Sequence, residues 1–231
     1  DGDNPLINLV SDRGVISRGL GRSYGDSASN AGGITLDCSN LKGAEIDTSN
    51  GIATLSAGVT ILEFEKLCLP HGYFPYVVPG TGNVTIGGAI ASDIHGKSHH
   101  KVGSFSNHVL EIKLLTSEGH EKTIYPHGET SQIFWATIGG MGLTGLILEA
   151  KIKLLKIETA YVKVVETRSK NLNELLSTLI DFNEKYLYTV AWIDLSGKFE
   201  GRGVVSGADH AKLSDLKART LAKKLTPLTL K

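Results

Sequence analysis

The sequence predicts an α+β fold, in which short strands and hairpins outnumber helices and the regular βαβ alternation of a doubly wound sheet is missing. Three observations predict it. Twenty-three of the 27 glycines lie between Gly2 and Gly145, and the other four lie beyond residue 195. Two glycine-rich stretches, Arg18 to Asp26 and Gly80 to Gly103, interrupt the strands instead of opening long helices. Past residue 158 the apolar period lengthens to that of a helix.

In chain order, Val15 to Ser17 reads as a short strand running into the first glycine loop, and Ile34 to Cys38 as another strand. Ala44 to Asp47 and Ile52 to Ala57 flank Ser49-Asn50-Gly51, a hairpin signal. Thr60 is placed to cap a helix from Ile61 to Leu69 that Pro70 ends. Leu110, Ile112 and Leu114 alternate as in a half-buried strand, which Ser117-Glu118-Gly119 turns back. Thr130 to Ile138 reads as a helix stopped by Gly139-Gly140. Leu146, Leu148, Ala150, Ile152 and Leu154 form the clearest strand. Leu172, Leu175, Leu176, Leu179 and Ile180 recur at helical spacing behind Asn171, a good N-cap. Tyr188 to Asp194 and Arg202 to Ser206 read as strands, and Lys212 to Leu225 as a basic amphipathic helix. The break in glycine content divides the chain into a first domain, 1–158, and a second, 159–231.

Composition removes several classes of function. The 24 Lys and Arg balance the 24 Asp and Glu over 231 residues. Bulk charge therefore does not suit a nucleic-acid partner. There is no run of about 20 apolar residues to span a bilayer. Two cysteines, Cys38 and Cys68, are too few for a disulfide scaffold and are expected as reduced thiols in the cytoplasm. The chain opens on Asp1 without a signal sequence and ends soon after Leu225, which leads us to expect a piece of a longer protein.

The first loop carries Gly19-x-Gly21-x-x-x-Gly25. Its third glycine is one place late for the dinucleotide fingerprint, and a poor helix former follows. It reads either as a tight connection between strands or as a nest of inward amides for an anion, with Arg22, Ser23 and Tyr24 as side-chain donors. In the second stretch, Gly87-Gly88 precedes small residues, so a helix can begin against something flat and offer amides to a phosphate. Two such loops suit a diphosphate better than a monophosphate.

Two decoys lie nearby. Gly96-Lys97-Ser98 mimics the end of a Walker A loop, but Ala91 stands where that motif wants glycine and no helix is promised after it. His95 and His99 have a metal spacing only on a helix, which Gly96 and Gly103 oppose. The sequence therefore predicts no metal site, and these histidines are expected either to face a bound ligand or to be solvated or hydrogen-bonded side chains.

Five motifs occur in order: Gly19-Leu20-Gly21-Arg22-Ser23-Tyr24-Gly25-Asp26; Pro79-Gly80-Thr81 with Thr85-Ile86-Gly87-Gly88-Ala89-Ile90-Ala91; Asp93-Ile94-His95-Gly96-Lys97-Ser98-His99-His100; Phe134-Trp135-Ala136-Thr137-Ile138-Gly139-Gly140; and Gly142-Leu143-Thr144-Gly145. Together they resemble the vanillyl-alcohol oxidase superfamily with its PCMH-type FAD-binding domain, and most of all its decaprenylphosphoryl-β-D-ribose oxidase branch. Ala191-Trp192-Ile193-Asp194 and Gly201-Arg202-Gly203 resemble the start of that branch's substrate (cap) domain.

The resemblance implies two α+β subdomains clasping an extended FAD. Ser17, Arg18, Gly19, Leu20, Gly21, Arg22, Ser23, Tyr24, Gly25, Asp26 and Ser27 would wrap the diphosphate. Gly80, Thr85, Ile86, Gly87, Gly88, Ser92, Asp93, Ile94 and His95 would line diphosphate and flavin, and Ile147 would contact the adenine side. His95, Lys97 and Trp192 would stand on the substrate side. Many relatives attach FAD through a histidine in the first loop. Arg22 occupies that neighbourhood here, so non-covalent FAD is expected.

The implied reaction oxidises a ribose hydroxyl of a polyprenyl-phosphoryl ribose to a ketone. The implied general base is a lysine in a later C-terminal stretch, so the catalytic base is not assigned within this sequence. The resemblance further implies a lipid-linked sugar substrate, a partner ketoreductase, and a cytoplasmic protein with peripheral contact at the inner membrane, for which the basic stretch from Lys212 is a candidate. Two other readings compete: a flavin oxidase of sugar alcohols or aldonolactones, and a truncated flavin-binding module without turnover.

Overall fold

The computed structural model describes residues 11–196 and 201–217, together with Leu225. In chain order its elements are β1 (Val15–Arg18), β2 (Ile34–Asp37), β3 (Ala44–Asp47), β4 (Ile52–Ser56), α1 (Ile61–Cys68), β5 (Tyr73–Pro75), α2 (Ile86–Ala91), α3 (His99–Val102), β6 (Val109–Leu115), β7 (Glu121–Ile124), α4 (Ser131–Thr137), β8 (Leu146–Lys156), β9 (Val162–Ser169), α5 (Leu172–Lys185), β10 (Tyr188–Ile193) and β11 (Gly203–His210). The fold is α+β, with mixed helices and strands in open sheets.

β1 and β2 pair in parallel, Val15 opposite Ile34 through Arg18 opposite Asp37. A parallel pair needs a long crossover, usually a helix. Here the first glycine loop supplies it. The main sheet runs β3-β4-β8-β6-β7, with β5 also on β8. Every pairing in it is antiparallel. β8, alternating as its sequence requires, is the shared centre, and Leu55, Phe64, Phe105, Ile112, Leu114, Phe134 and Ile152 bury their side chains around it.

Helix ends follow the chemistry of their caps. The Thr60 hydroxyl accepts from the Glu63 amide at 3.1 Å, and Glu63 Oε2 accepts from the Thr60 amide at 2.7 Å, closing a capping box. α1 stops at Cys68, one residue short of expectation, because Leu69–His71 tightens into a 3-10 turn around Pro70. Asn171 caps α5 by accepting from the Glu174 amide at 2.9 Å.

A second, three-stranded antiparallel sheet runs β10-β11-β9. α5 covers one face through Leu175 and Phe182 packed with Val205. β9 is missing from the sequence reading because all of it but Ser169 is exposed, so burial imposes no two-residue alternation. β11 extends beyond the expected Ser206 to His210, since each further residue pairs with β9 down to Val162. The expected helix from Lys212 begins otherwise. Leu213–Asp215 is a 3-10 turn whose Asp215 carboxylate takes the Lys212 amide at 3.0 Å, and Lys163 at 3.0 Å holds that carboxylate in place. Of the rest of that stretch, Leu216, Lys217 and Leu225 are among the described residues.

Candidate functional site: a glycine-lined cofactor cradle

A cavity of about 700 Å³ lies between the first glycine loop, the α2 segment and the start of β8. Ser17, Arg18, Gly19, Leu20, Gly21, Arg22, Ser23, Tyr24 and Ser27 form one wall. Gly80, Thr85, Gly87, Gly88, Ser92, Ile94 and His95 form the opposite one, with Ile147 at an end. Six of the expected residues are not on the wall. Gly25 and Asp26 sit on the exposed outer side of the loop, and Ile86 is wholly buried in the core. Asp93 lies behind the wall. Lys97 is exposed beside it, with its carbonyl accepting from the Thr189 amide at 2.9 Å. Trp192 stands 65% exposed on β10.

The first loop offers main-chain donors. Among the described residues, the amides of Gly19 through Ala28 have no protein acceptor. Gly21 and Gly25 take φ of 62°, which side chains resist, and so let the chain curl without crowding its interior. Packing also demands glycine at residue 19, where a methyl group would come within 2.2 Å of Thr85 Oγ1. A curled run of free amides is a nest for an anion.

The α2 end does not behave as the sequence suggested. Its first amides are already taken: Ile86 by the Val59 carbonyl, Gly87 by the Ala57 carbonyl, Ala89 by the Thr85 carbonyl, and Gly88 by the Thr85 hydroxyl. The helix is also only six residues long. The expectation of free α2 amides is therefore corrected. α2 supplies a flat, side-chain-poor floor, and a methyl group on Gly87 would already press Ala57 at 3.0 Å.

His95 is carried by a strained turn. Asp93 adopts φ of 40°, unusual for a residue with a side chain. Its carboxylate accepts from the Ser104 hydroxyl at 2.8 Å and the Ser106 amide at 3.0 Å. Those bonds hold the chain reversal between α2 and His95. A methyl group at Gly96 would fall 2.3 Å from the Val78 carbonyl, so this turn sits directly on the backbone beneath it.

Sequence reasoning missed Cys38, Ala57, Pro79, Thr81, Val84, Ala91, Met141, Gly142 and Leu146 on the wall. For Pro79, Thr81, Ala91 and Gly142 the signal was present in the motifs that contain them, whereas Met141 falls in the gap between the motif that ends at Gly140 and the one that opens at Gly142. Met141 takes φ of 51° and donates its amide to the Ala91 carbonyl at 2.9 Å, which locks that motif onto α2. Burial pushes the Cys38 thiol up, and it donates to the Leu36 carbonyl at 3.4 Å, so it is a neutral lining group and not a thiolate nucleophile.

A family described as "FAD binding domain" matches residues 7–125. The chain belongs to this FAD-binding family. It is 44% identical over 211 residues, 90% of its own length, to decaprenylphosphoryl-beta-D-ribose oxidase of Mycolicibacterium smegmatis, covering 46% of that protein. It is 28% identical over 86% of its length to D-lactate dehydrogenase of Archaeoglobus fulgidus, covering 47% of it. To cytokinin dehydrogenase 2 of Arabidopsis thaliana it is 24% identical over 87% of its length, covering 41%. The chain thus spans a little under half the length of each of these three relatives.

The cradle fits FAD on its own geometry. Its volume falls in the ordinary range of ligand sites, about 300–1,000 Å³. The first-loop amides without an acceptor among the described residues suit a diphosphate, Gly80 has open space where a side chain would stand, and Gly87 and Gly88 present side-chain-free backbone to the cavity.

Proposed function

We propose that this chain is the FAD-binding part, and the start of the substrate domain, of an oxidoreductase that converts a ribose hydroxyl of a polyprenyl-phosphoryl ribose to a ketone. One observation carries the reading: a cavity walled by loop residues whose amides have no acceptor among the described residues and by a glycine floor, in a chain 44% identical over 90% of its length to a decaprenylphosphoryl-beta-D-ribose oxidase. When bound, FAD supplies the acceptor for the hydride.

The chain's own residues bind and orient. In this reading Ser17 to Ser27 hold the diphosphate through main-chain amides, with Arg22 as counter-charge. Gly80, Thr85 to Gly88 and Ser92 to His95 shape the diphosphate and flavin region, Asp93 and Ile86 doing so from behind. Ile147 closes the adenine side. His95 and Lys97 face the substrate, and Trp192 comes to it from β10. The general base is assigned to no described residue. The boundary between the two domains falls near residue 158, where β8 has ended and the second sheet has not begun. FAD is non-covalent, since Arg22 stands where a linking histidine would be needed.

A lipid-linked substrate places the protein at the cytoplasmic face of the inner membrane, in peripheral contact. Among the described residues no helix is long and apolar enough to cross a membrane. The ketone product calls for a ketoreductase as the next enzyme.

The test has three arms. Purified chain titrated with FAD should show perturbed flavin bands, and acid precipitation should release all the flavin to the supernatant. Flavin held in the pellet overturns the non-covalent reading. In the full-length protein, polyprenyl-phosphoryl ribose should bleach the flavin while sugar alcohols do not. Bleaching by sugar alcohols alone moves the substrate to their class, and no bleaching by either leaves a binding module.

A further inference from the structure

The segment from His95 to Val102 is fastened to both sheets. Toward the main sheet, the buried Ser98 hydroxyl donates to the Tyr76 carbonyl at 2.9 Å. Toward the smaller sheet the bonds come from the other side of the turn. The Thr189 amide on β10 donates to the Lys97 carbonyl at 2.9 Å. Lys101 Nζ donates to the Glu184 carbonyl at 3.0 Å, and His100 Nε2 lies 3.0 Å from the Tyr186 carbonyl. A ring nitrogen facing a carbonyl must carry the hydrogen, so Nε2 is the donor. Both carbonyls belong to the C-terminal end of α5, where main-chain acceptors lack helical partners and cationic donors are favoured. The other nitrogen, Nδ1, carries no hydrogen in that tautomer and packs against the Thr189 hydroxyl at 3.4 Å without a hydrogen bond, since that hydroxyl donates its hydrogen to Asn183 Oδ1 at 2.6 Å.

One ring therefore ties α3 to the end of α5 and packs against Thr189 on β10. His99, the next residue back, packs its ring edge-on against His95, with centroids 5.8 Å apart. His95 is the member of this run that reaches the cavity wall. The connection from the smaller sheet to the cavity is thus α5 and β10, then His100, then α3, then the His99 ring, then His95.

We propose that His100 is a positioning residue: it transmits the seating of the smaller sheet to the orientation of His95 in the cofactor cavity. The cofactor part of this inference rests on the FAD reading above, whereas the geometric part does not. His100 itself touches neither the cavity nor the reacting groups.

The test uses the 231-residue chain and reads the ring-proton resonances of its histidines by NMR, with His95 assigned through His95→Gln. His100→Ala should move the His95 and His99 resonances and leave His120 and His127, which lie elsewhere, in place. His100→Gln, whose amide can still donate to Tyr186, should bring the His95 signal back toward its original position. An unmoved His95 signal in His100→Ala overturns the proposal, as does movement of all the histidines together, which would mean general loosening.

A flavin arm separates the two readings. With FAD as the probe, His100→Ala should leave affinity within about twofold, about 0.4 kcal/mol, while altering the visible circular dichroism of bound flavin. Adding His95→Ala to His100→Ala should then change the spectrum no further than His95→Ala alone. Additive changes overturn transmission through His95. Failure of the parent chain to bind FAD refutes the cofactor reading, and the NMR arm still decides the role of His100.

Discussion

Gly19 and Thr85 meet across the cavity mouth so closely that a methyl group on Gly19 would lie 2.2 Å from Thr85 Oγ1. That oxygen is the N-cap acceptor for the Gly88 amide at 3.2 Å. One contact therefore joins the first glycine loop to the start of α2. In Gly19→Ala either the loop backs away or Thr85 turns and gives up its cap. Loss of a Thr cap costs about 1 kcal/mol. We expect a lower Tm and FAD affinity weaker by at least about tenfold, about 1.4 kcal/mol. Thr85→Ala should lower Tm similarly but spare more of the affinity. Gly19→Ala binding FAD as the parent does would show that this contact does not shape the cradle.

Asp93 should tolerate asparagine better than alanine. Asn still accepts from the buried Ser106 amide, and it is among the few side chains that visit the left-handed region. Asp93→Ala leaves that donor unpaired, at a cost of about 1–3 kcal/mol. Urea denaturation should place Asp93→Asn between the parent and Asp93→Ala. Equal midpoints for all three would mean that the turn is held by other contacts.

What the sequence disclosed depended on which force fixed each residue. β8 and α5 were legible because burial on one face imposes a period, and the N-caps of α1 and α5 because a hydroxyl or amide side chain must sit at one place. β9 and β5 were not, the first lacking a buried face and the second being three residues paired only to β8. The first loop was legible as a glycine-rich nest, whereas the occupied amides of α2 were not. Their acceptors, the Val59 and Ala57 carbonyls, come from the turn after β4, distant in sequence. Likewise the role of Asp93 behind the wall depends on Ser104 and Ser106, a pairing that no local pattern announces.

Glu63 makes acid stability testable. Its hydrogen bonds from Lys42 and the Thr60 backbone hold its carboxyl down to about 2 from an ordinary 4.5. The folded pKa is depressed, so the stabilisation is full above about pH 4.5 and is lost as pH falls toward about 2. The Tm of the parent should drop through that window more steeply than that of Glu63→Gln, which has no charge to lose. Parallel Tm profiles would remove Glu63 from the acid response.

A second loss of stability is expected at milder pH, from two half-buried histidines. His108 stacks flat on Tyr76 with ring centroids 4.2 Å apart, and its Nε2 lies 3.0 Å from the Val102 carbonyl. His210 lies between Phe74 and Tyr188, with Nε2 3.0 Å from the Tyr188 hydroxyl and Nδ1 buried without a partner. Burial lowers both from an ordinary 6.5. Below that value the unfolded chain binds protons that the folded chain refuses, so stability rises with pH through the window and falls as pH drops below about 6.5. His210 joins β11 to β5 of the main sheet, and protonating it places a charge where Nδ1 has no acceptor. Denaturant midpoints should therefore decline from pH 7.5 to 5.5 in the parent, less in His108→Gln or His210→Gln, and least in the double variant. A parent midpoint that is level across that range would mean that neither ring is protected from protonation by the fold.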